Sequence, residues 1–252
     1  MKTTALFFLL FISFNGFCQQ TDEQVDPVKK RQIAKNNKIK MVKMFKYVCK
    51  NGIVSEKGRL FYQARLDTSG NLLSRIWFNP DKSQDLKVIN KYKKGRMIQH
   101  TIQFTEGGVF DTTKSIEDFD ASGRVTRSCA EFAKEEYKYD EKGNLAERIS
   151  YQKNLITRDD IFRYQFDSLG NKIEMKWYDK KTNKISRYWW TARYDKNGNQ
   201  TEYTVYKMDG KINSFETYTY DNDILLEEKY YDDKNEMRIV WKYEYEYFGE
   251  KK

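Results

Sequence analysis

Histidine, proline and cysteine are nearly absent from this chain, with one, two and three copies in 252 residues. His100 alone cannot build a His/Cys metal cage, and it leaves a Ser-His-Asp triad without redundancy. Long apolar runs are missing beyond the first residues, and a mean hydropathy of −0.89 argues against a multi-span membrane protein. What is present in quantity is charge, at 33% of residues, and aromatic rings, at 16%.

The one apolar run, Ala5 to Phe14, follows Met1-Lys2 and precedes Asn15-Gly16-Phe17-Cys18 and then Gln19-Gln20. It is too short to anchor and is flanked by small residues at −3 and −1, so it reads as a signal peptide, residues 1–18, cut before Gln19. Lipidation of Cys18 would want a small residue before it, where Phe17 is large. The protein is expected to be exported: periplasmic, outer-membrane-associated or secreted.

Losing residues 1–18 removes one Lys, leaving 45 basic against 37 acidic residues. Nine basic residues and no acid lie between Pro27 and Ser55, which leaves the rest near neutral at 36 against 37. The expected organisation is a basic N-terminal arm, 19–39, followed by one domain, 40–252. The arm, with Lys29, Lys30, Arg31, Lys35, Lys38 and Lys40, suits peripheral contact with anionic membrane or polysaccharide, or it is a solvated arm. Export argues against nucleic acid as a partner. It also allows a disulfide between Cys49 and Cys129, closing a loop of 129 − 49 = 80 residues, with two buried thiols as the alternative.

Self-similarity is the main signal. An aromatic or Leu, then Asp-x-x-Gly and Asn or Arg, recurs at Leu66-Asp67…Gly70-Asn71, Phe119-Asp120…Gly123-Arg124, Tyr139-Asp140…Gly143-Asn144, Phe166-Asp167…Gly170-Asn171 and Tyr194-Asp195…Gly198-Asn199. Weaker copies start at Tyr92 and Tyr220, and Tyr247 closes the series. Successive leading residues are 26, 27, 20, 27, 28, 26 and 27 apart. Asp at the first turn position and a left-handed Gly at the fourth mark a bulged hairpin turn. A second aromatic with polar turn residues follows about twelve residues on, at Phe78, Phe104, Tyr151, Tyr178, Tyr206 and Tyr231. Each period therefore holds two strands and two turns. The expected fold is all-β: an antiparallel meander of about 14–16 strands from Lys40 to Tyr247, curled by its twist into a barrel-like or shell-like sheet with a Tyr/Phe face inward.

If Asp pairs with the residue after Gly, the leading aromatics share a face with Leu72, Val125, Leu145, Ile76 and Ile149. Trp77, Trp177 and Trp189 then fall on the opposite face, where a planar ring would stack on a sugar or anchor a protein partner. The motif aspartates are too few per loop for calcium and are used by their own turns. Glu147, Glu174 and Glu202 recur at one offset, beside basic residues, as cross-strand ion pairs would.

The Tyr/Phe-Asp-x-x-Gly-Asn/Arg unit resembles the YD repeat of Rhs-type bacterial surface proteins over roughly residues 60–247, and the resemblance implies hairpins wound into a curved sheet or shell. A more distant likeness is to MORN-variant repeat proteins annotated among antitoxins. No residue cluster breaks the repeat as an active site would. The chain is therefore expected to be non-catalytic and cofactor-free, a binding or scaffold module at the cell envelope for a glycan or an envelope protein. The alternatives are an immunity-like protein binder, an enzyme acting on an envelope polymer, and an outer-membrane barrel. For the barrel, charges near mid-strand such as Glu147-Arg148 are a poor lipid-facing surface.

Overall fold

The computed structural model describes residues 27–249, apart from 94–95, 107–108, 115, 121–123, 131–132 and 187–188. The leader expected at 1–18 and the first part of the arm lie outside these residues. One helix, α1 (Pro27–Asn36), opens the described chain, with Pro27 in the first turn, where a missing N–H costs nothing. Eighteen strand segments follow among the described residues: β1 (Ile39–Lys50), β2 (Ile53–Val54), β3 (Arg59–Leu66), β4 (Leu72–Phe78), β5 (Gln84–Lys93), β6 (Arg96–Glu106), β7 (Val109–Lys114), β8 (Ile116–Phe119), β9 (Val125–Ala130), β10 (Ala133–Tyr139), β11 (Leu145–Gln152), β12 (Leu155–Phe166), β13 (Lys172–Asp179), β14 (Trp189–Tyr194), β15 (Gln200–Tyr206), β16 (Ile212–Asp221), β17 (Ile224–Asp232) and β18 (Met237–Tyr247). The expected all-β antiparallel meander is what forms, curled as a sheet of this size must be.

Its order departs from a plain meander at one strand. β1 lies between β3 and β18, with Met44 opposite both Tyr62 and Tyr243, so the start and the end of the domain are sewn together. The ladder then runs from β3 to β7 on one side and from β18 back to β8 on the other. β7 and β8 follow one another in the chain, and among the described residues no register pairs them.

The repeat motif builds the turn that its residues imply. In four copies the Asp amide donates to the Asn carbonyl (Asp67 to Asn71, Asp140 to Asn144, Asp167 to Asn171, Asp195 to Asn199), at 2.8–3.0 Å, and Gly takes a left-handed φ of +74 to +86°. The Asp side chain supplies the rest. In Asp167, Oδ1 accepts from the Leu169 and Asn171 amides at 3.0 and 2.8 Å, and Oδ2 accepts from Asn171 Nδ2 at 2.8 Å. Arg124 replaces that Asn by donating Nε to Asp120 Oδ2 at 2.6 Å. This explains why the position after Gly is Asn or Arg.

Beyond each turn the ladder slips by one residue. Tyr139 faces Leu145 but Lys138 faces Glu147, and the same step recurs at Leu66/Leu72, Phe166/Lys172 and Tyr194/Gln200. Such a bulge leaves one residue unpaired, Leu73, Thr126, Ile173 or Leu226, and disturbs the ladder at the residue before it. A tyrosine of an adjoining hairpin donates its hydroxyl to that residue's carbonyl: Tyr92 to Leu72 at 3.0 Å, Tyr139 to Val125 at 2.8 Å, Tyr194 to Lys172 at 2.9 Å and Tyr245 to Leu225 at 2.6 Å. The tyrosine is thus the fastener between successive hairpins.

The bulge also inverts the face of everything after it, which corrects part of the sequence expectation. Leu72, Val125 and Leu145 do lie opposite Leu66, Phe119 and Tyr139. Ile76 and Ile149 instead face Gln63 and Glu136 on the outer side, while Trp77 faces Tyr62 and Trp177 faces Phe162 on the inner side. The core forms there from Phe162, Met175, Trp190, Ala192, Tyr203 and Val205, with Trp177 and Tyr194 against it.

Because hairpins alternate, all motif turns lie on one rim and the second turns on the other. α1 is laid against the motif rim. Ala34 is buried, Arg31 Nε donates to the Ser69 carbonyl at 3.2 Å, and a Cβ on Gly70 would collide with the Arg31 carbonyl. The second half of the expected basic arm is therefore a docked helix rather than a free segment, and Lys40, the last residue named with it, belongs to β1.

Two outcomes follow. Tyr194→Phe removes one fastener and is expected to lower unfolding free energy by about 1–2 kcal/mol in urea titration, with no change in the slope. Gly70→Ala and Gly170→Ala carry the same left-handed penalty of about 1–2 kcal/mol, but Gly170 has nothing within 4 Å. Gly70→Ala should therefore be the more destabilising, with the difference vanishing when α1 is undocked by Ala34→Asp.

Candidate functional site

Two surfaces carry the chemistry, and the alternation of the strands assigns residues to each. The first is the inner face near α1. Glu216 lies between Tyr203 and Tyr230, and Glu228 between Tyr218 and Trp241. Tyr218 donates to Glu216 Oε2 at 2.6 Å, and Tyr243 donates to Glu228 Oε2 at 2.9 Å. Glu228 keeps 6% of its surface. Burial, then the neighbouring Glu216 carboxylate, pushes its pKa up to about 8, while the Tyr243 hydroxyl and the Lys30 ammonium of α1 pull the other way. Burial raises Glu216 as well, and both tyrosines are raised far above their usual range. Two such groups share the cost of ionising, so the pair holds a proton at neutral pH.

Further along the inner face, Arg148 stacks over Trp177 at 4.6 Å and reaches Asp160 Oδ2 at 3.6 Å, with Arg158 Nε at 3.7 Å from the same oxygen. Asp160 is 1% exposed. This cation, carboxylate and ring stack was invisible in the sequence, because Arg148 and Asp160 meet only through the register of β11 on β12.

The second surface is the outer wall. Glu147 pairs with Lys138 at 3.0 Å and with Lys180 at 2.5 Å, Glu174 with Lys176 at 3.0 Å and Glu202 with Arg193 at 3.4 Å. The recurring glutamates are thus engaged in ion pairs on that wall. Toward the rim opposite α1 the wall turns aromatic. Trp189 stacks on Tyr206 at 5.5 Å and 16°, Phe215 on Tyr231 at 4.4 Å and 2°, and Arg163 lies 4.4 Å over Tyr178. The rings are half-buried and Arg163 is exposed.

The expected site residues separate accordingly. Trp189 is on the outer wall. Trp77, 8% exposed and 5.1 Å from Tyr62, and Trp177, 5.2 Å from Phe162, are inside, because the bulge after each motif turn reverses their side. Lys30, Arg31, Lys35 and Lys38 are exposed on or just after α1, Lys29 lies in α1, and Lys40 is half-buried in β1. Cys49 and Cys129 are free thiols, correcting the disulfide expectation: β1 has β3 and β18 as neighbours, and β9 has β8 and β10. The turn aspartates Asp67, Asp120, Asp140, Asp167 and Asp195 are spent on their own turns. Among the described residues no group of three His, Cys, Asp or Glu is placed to hold a metal ion. His100 occupies an ordinary strand position in β6, opposite Asn90.

The acid pair sets a pH dependence. Below about pH 4.5, the ordinary value, the Glu228 carboxyl is protonated whether folded or not, and between there and about 8 unfolding releases its proton. Stability is therefore full below pH 4.5 and falls as pH rises toward 8. Glu228→Gln should flatten that fall, gaining on the order of 2 kcal/mol over the parent near pH 8 in denaturation at fixed salt.

No family model matches this chain, and no curated protein matches it. Solved structures that resemble it include a porin-like protein from Bacteroides uniformis, 10% identical, with 82% of this chain and 98% of that chain covered at a TM-score of 0.37. A DUF1329 family protein from Desulfovibrio piger is 10% identical, with 90% and 96% covered at 0.39. The LolA superfamily protein NE2245 from Nitrosomonas europaea is 12% identical, with 87% and 92% covered at 0.34. Likeness of this size leaves the functional reading to the chain's own side chains.

Proposed function

We propose that this is an exported, non-catalytic β-repeat protein that works at the cell envelope as a binding or scaffold module, with a glycan or an envelope protein as partner. The observation that supports this most is the outer aromatic row. Four successive periods each set one half-buried ring on the same side and at the same rim, Tyr151, Tyr178, Tyr206 and Tyr231, with Trp189 and Phe215 stacked into the row. Evenly spaced planar rings on a rigid sheet suit a repeating polymer, whose units meet equivalent surfaces and whose apolar faces stack on them. The leader read at 1–18 supports export. The repeated Asp-x-x-Gly turn supports kinship with YD-repeat surface proteins, whose units would share this hairpin. The ionisable groups of the inner face are consumed by tyrosine hydroxyls and ion pairs, as in a scaffold.

Intrinsic fluorescence tests the reading. Trp77, Trp190 and Trp241 are at most 8% exposed and should resist acrylamide, while the half-buried Trp177, inside, and Trp189, outside, make up the quenchable fraction, of which Trp189→Ala removes the outer part. An envelope polysaccharide that binds the row should protect that fraction, and Trp189→Ala should weaken binding about tenfold, or about 1.4 kcal/mol. Polysaccharides that neither protect Trp189 nor respond to its removal would rule out the glycan partner.

A further inference from the structure

The rim opposite α1 is built in layers. At its tips stand aliphatic side chains with nothing over them: Ile53 beside the β1–β2 turn is 76% exposed, Leu155 and Ile156 beside the β11–β12 turn 72% and 60%, and Met208 in the β15–β16 turn 64%. Around them Lys50, Lys153 and Lys184 are exposed with no ion pair among the described residues, and Lys181 is exposed beside Asp179, whose carboxyl is held low by hydrogen bonds from Thr182 and then by the Lys181 charge. One step back from the tips lies the aromatic row of the outer wall, with Trp189 against Tyr206 and Arg163 over Tyr178. Beyond it the wall carries the Lys138–Glu147 and Arg193–Glu202 ion pairs.

Aliphatic tips with exposed cations, then amphipathic rings, then charge pairs is the order met on passing from the acyl boundary of an anionic bilayer outward into water. We propose that this rim seats on an anionic lipid surface, the tips entering the headgroup layer and the aromatic row lying at its level. This rests on the envelope reading above and names lipid as what the rim meets. The tips stand apart, with those of β11–β12 and β15–β16 four strands and therefore ~19 Å from each other along the sheet. A protein partner would ask instead for one contiguous patch. The acidic tip between β17 and β18 does not oppose the contact, since Asp233 is paired with Lys207 at 2.7 Å and Asp232 with Arg238 at 2.6 Å. The charged wall restricts the contact to the rim, because a spanning barrel needs a continuous apolar band there.

Vesicle co-sedimentation of the exported protein tests this, using phosphatidylcholine alone and phosphatidylcholine with about one-third phosphatidylglycerol. Wild type is expected to bind the anionic vesicles at least tenfold more tightly, less so as salt rises, with a blue shift of Trp189. Ile53→Ser/Leu155→Ser/Ile156→Ser/Met208→Ser should lose most binding, and Lys153→Glu/Lys181→Glu/Lys184→Glu should lose the preference for phosphatidylglycerol. All seven sites are exposed, and circular dichroism melts confirm folding. Leu169→Ser on the other rim, 70% exposed, and Lys30→Ala/Lys35→Ala on α1 should bind as wild type. Equal binding to both vesicles, an apolar-tip variant that binds as wild type, or a loss that follows the α1 variant would each overturn the proposal. These vesicles contain no polysaccharide, so failure here is separate from failure of the glycan test.

Discussion

A tyrosine hydroxyl donated to the carbonyl exposed by a bulge is the contact on which the rest of this sheet depends. The Asp-capped turn closes each hairpin on itself, but a hairpin alone is marginal in water. The bulge beside the turn disturbs the ladder at one carbonyl, and Tyr92, Tyr139, Tyr194 and Tyr245 give it a donor from an adjoining hairpin. A buried carbonyl without a donor costs more than the bond returns, so the geometry couples neighbours: each hairpin is satisfied only when the next is in place.

The same bulge decides what each face can do. By shifting parity once per turn, it sends Trp77 and Trp177 inward beside Tyr62 and Phe162 and leaves Trp189 and the second aromatic of each period outside. One rim thereby gains inner tyrosines, turn aspartates and the docked helix, and the other gains outer rings and exposed tips. A repeat of two strands and two turns produces two unlike rims, and that polarity is the basis of the functional reading.

The inner face is less apolar than a core of this size usually is. Glu216, Glu228, Arg148 and Asp160 sit among rings, and each is held by a tyrosine hydroxyl or an opposite charge. Buried charges of this kind add little net stability and are severe to break singly. What they confer here is register, since Arg148 meets Asp160 in only one alignment of β11 on β12.

Much of the architecture was legible along the chain, for a physical reason. Asp-x-x-Gly-Asn turns, two-residue alternation and a period near 27 residues are local, so the hairpins, their number and the all-β class follow from neighbours in sequence. The turn chemistry was equally local, down to the Asn or Arg that completes the Asp cap. The face of each tryptophan was not, because one added residue beyond the glycine-marked turn reverses it, and no residue type announces that second bulge. The pairing of Met44 with both Tyr62 and Tyr243, the docking of α1 on Gly70 and the meeting of Glu216 with Glu228 depend on how far the twisted sheet curls. Curl accumulates over all the strands together, so the local sequence determined the hairpins, and only the tertiary structure decided which of their side chains meet.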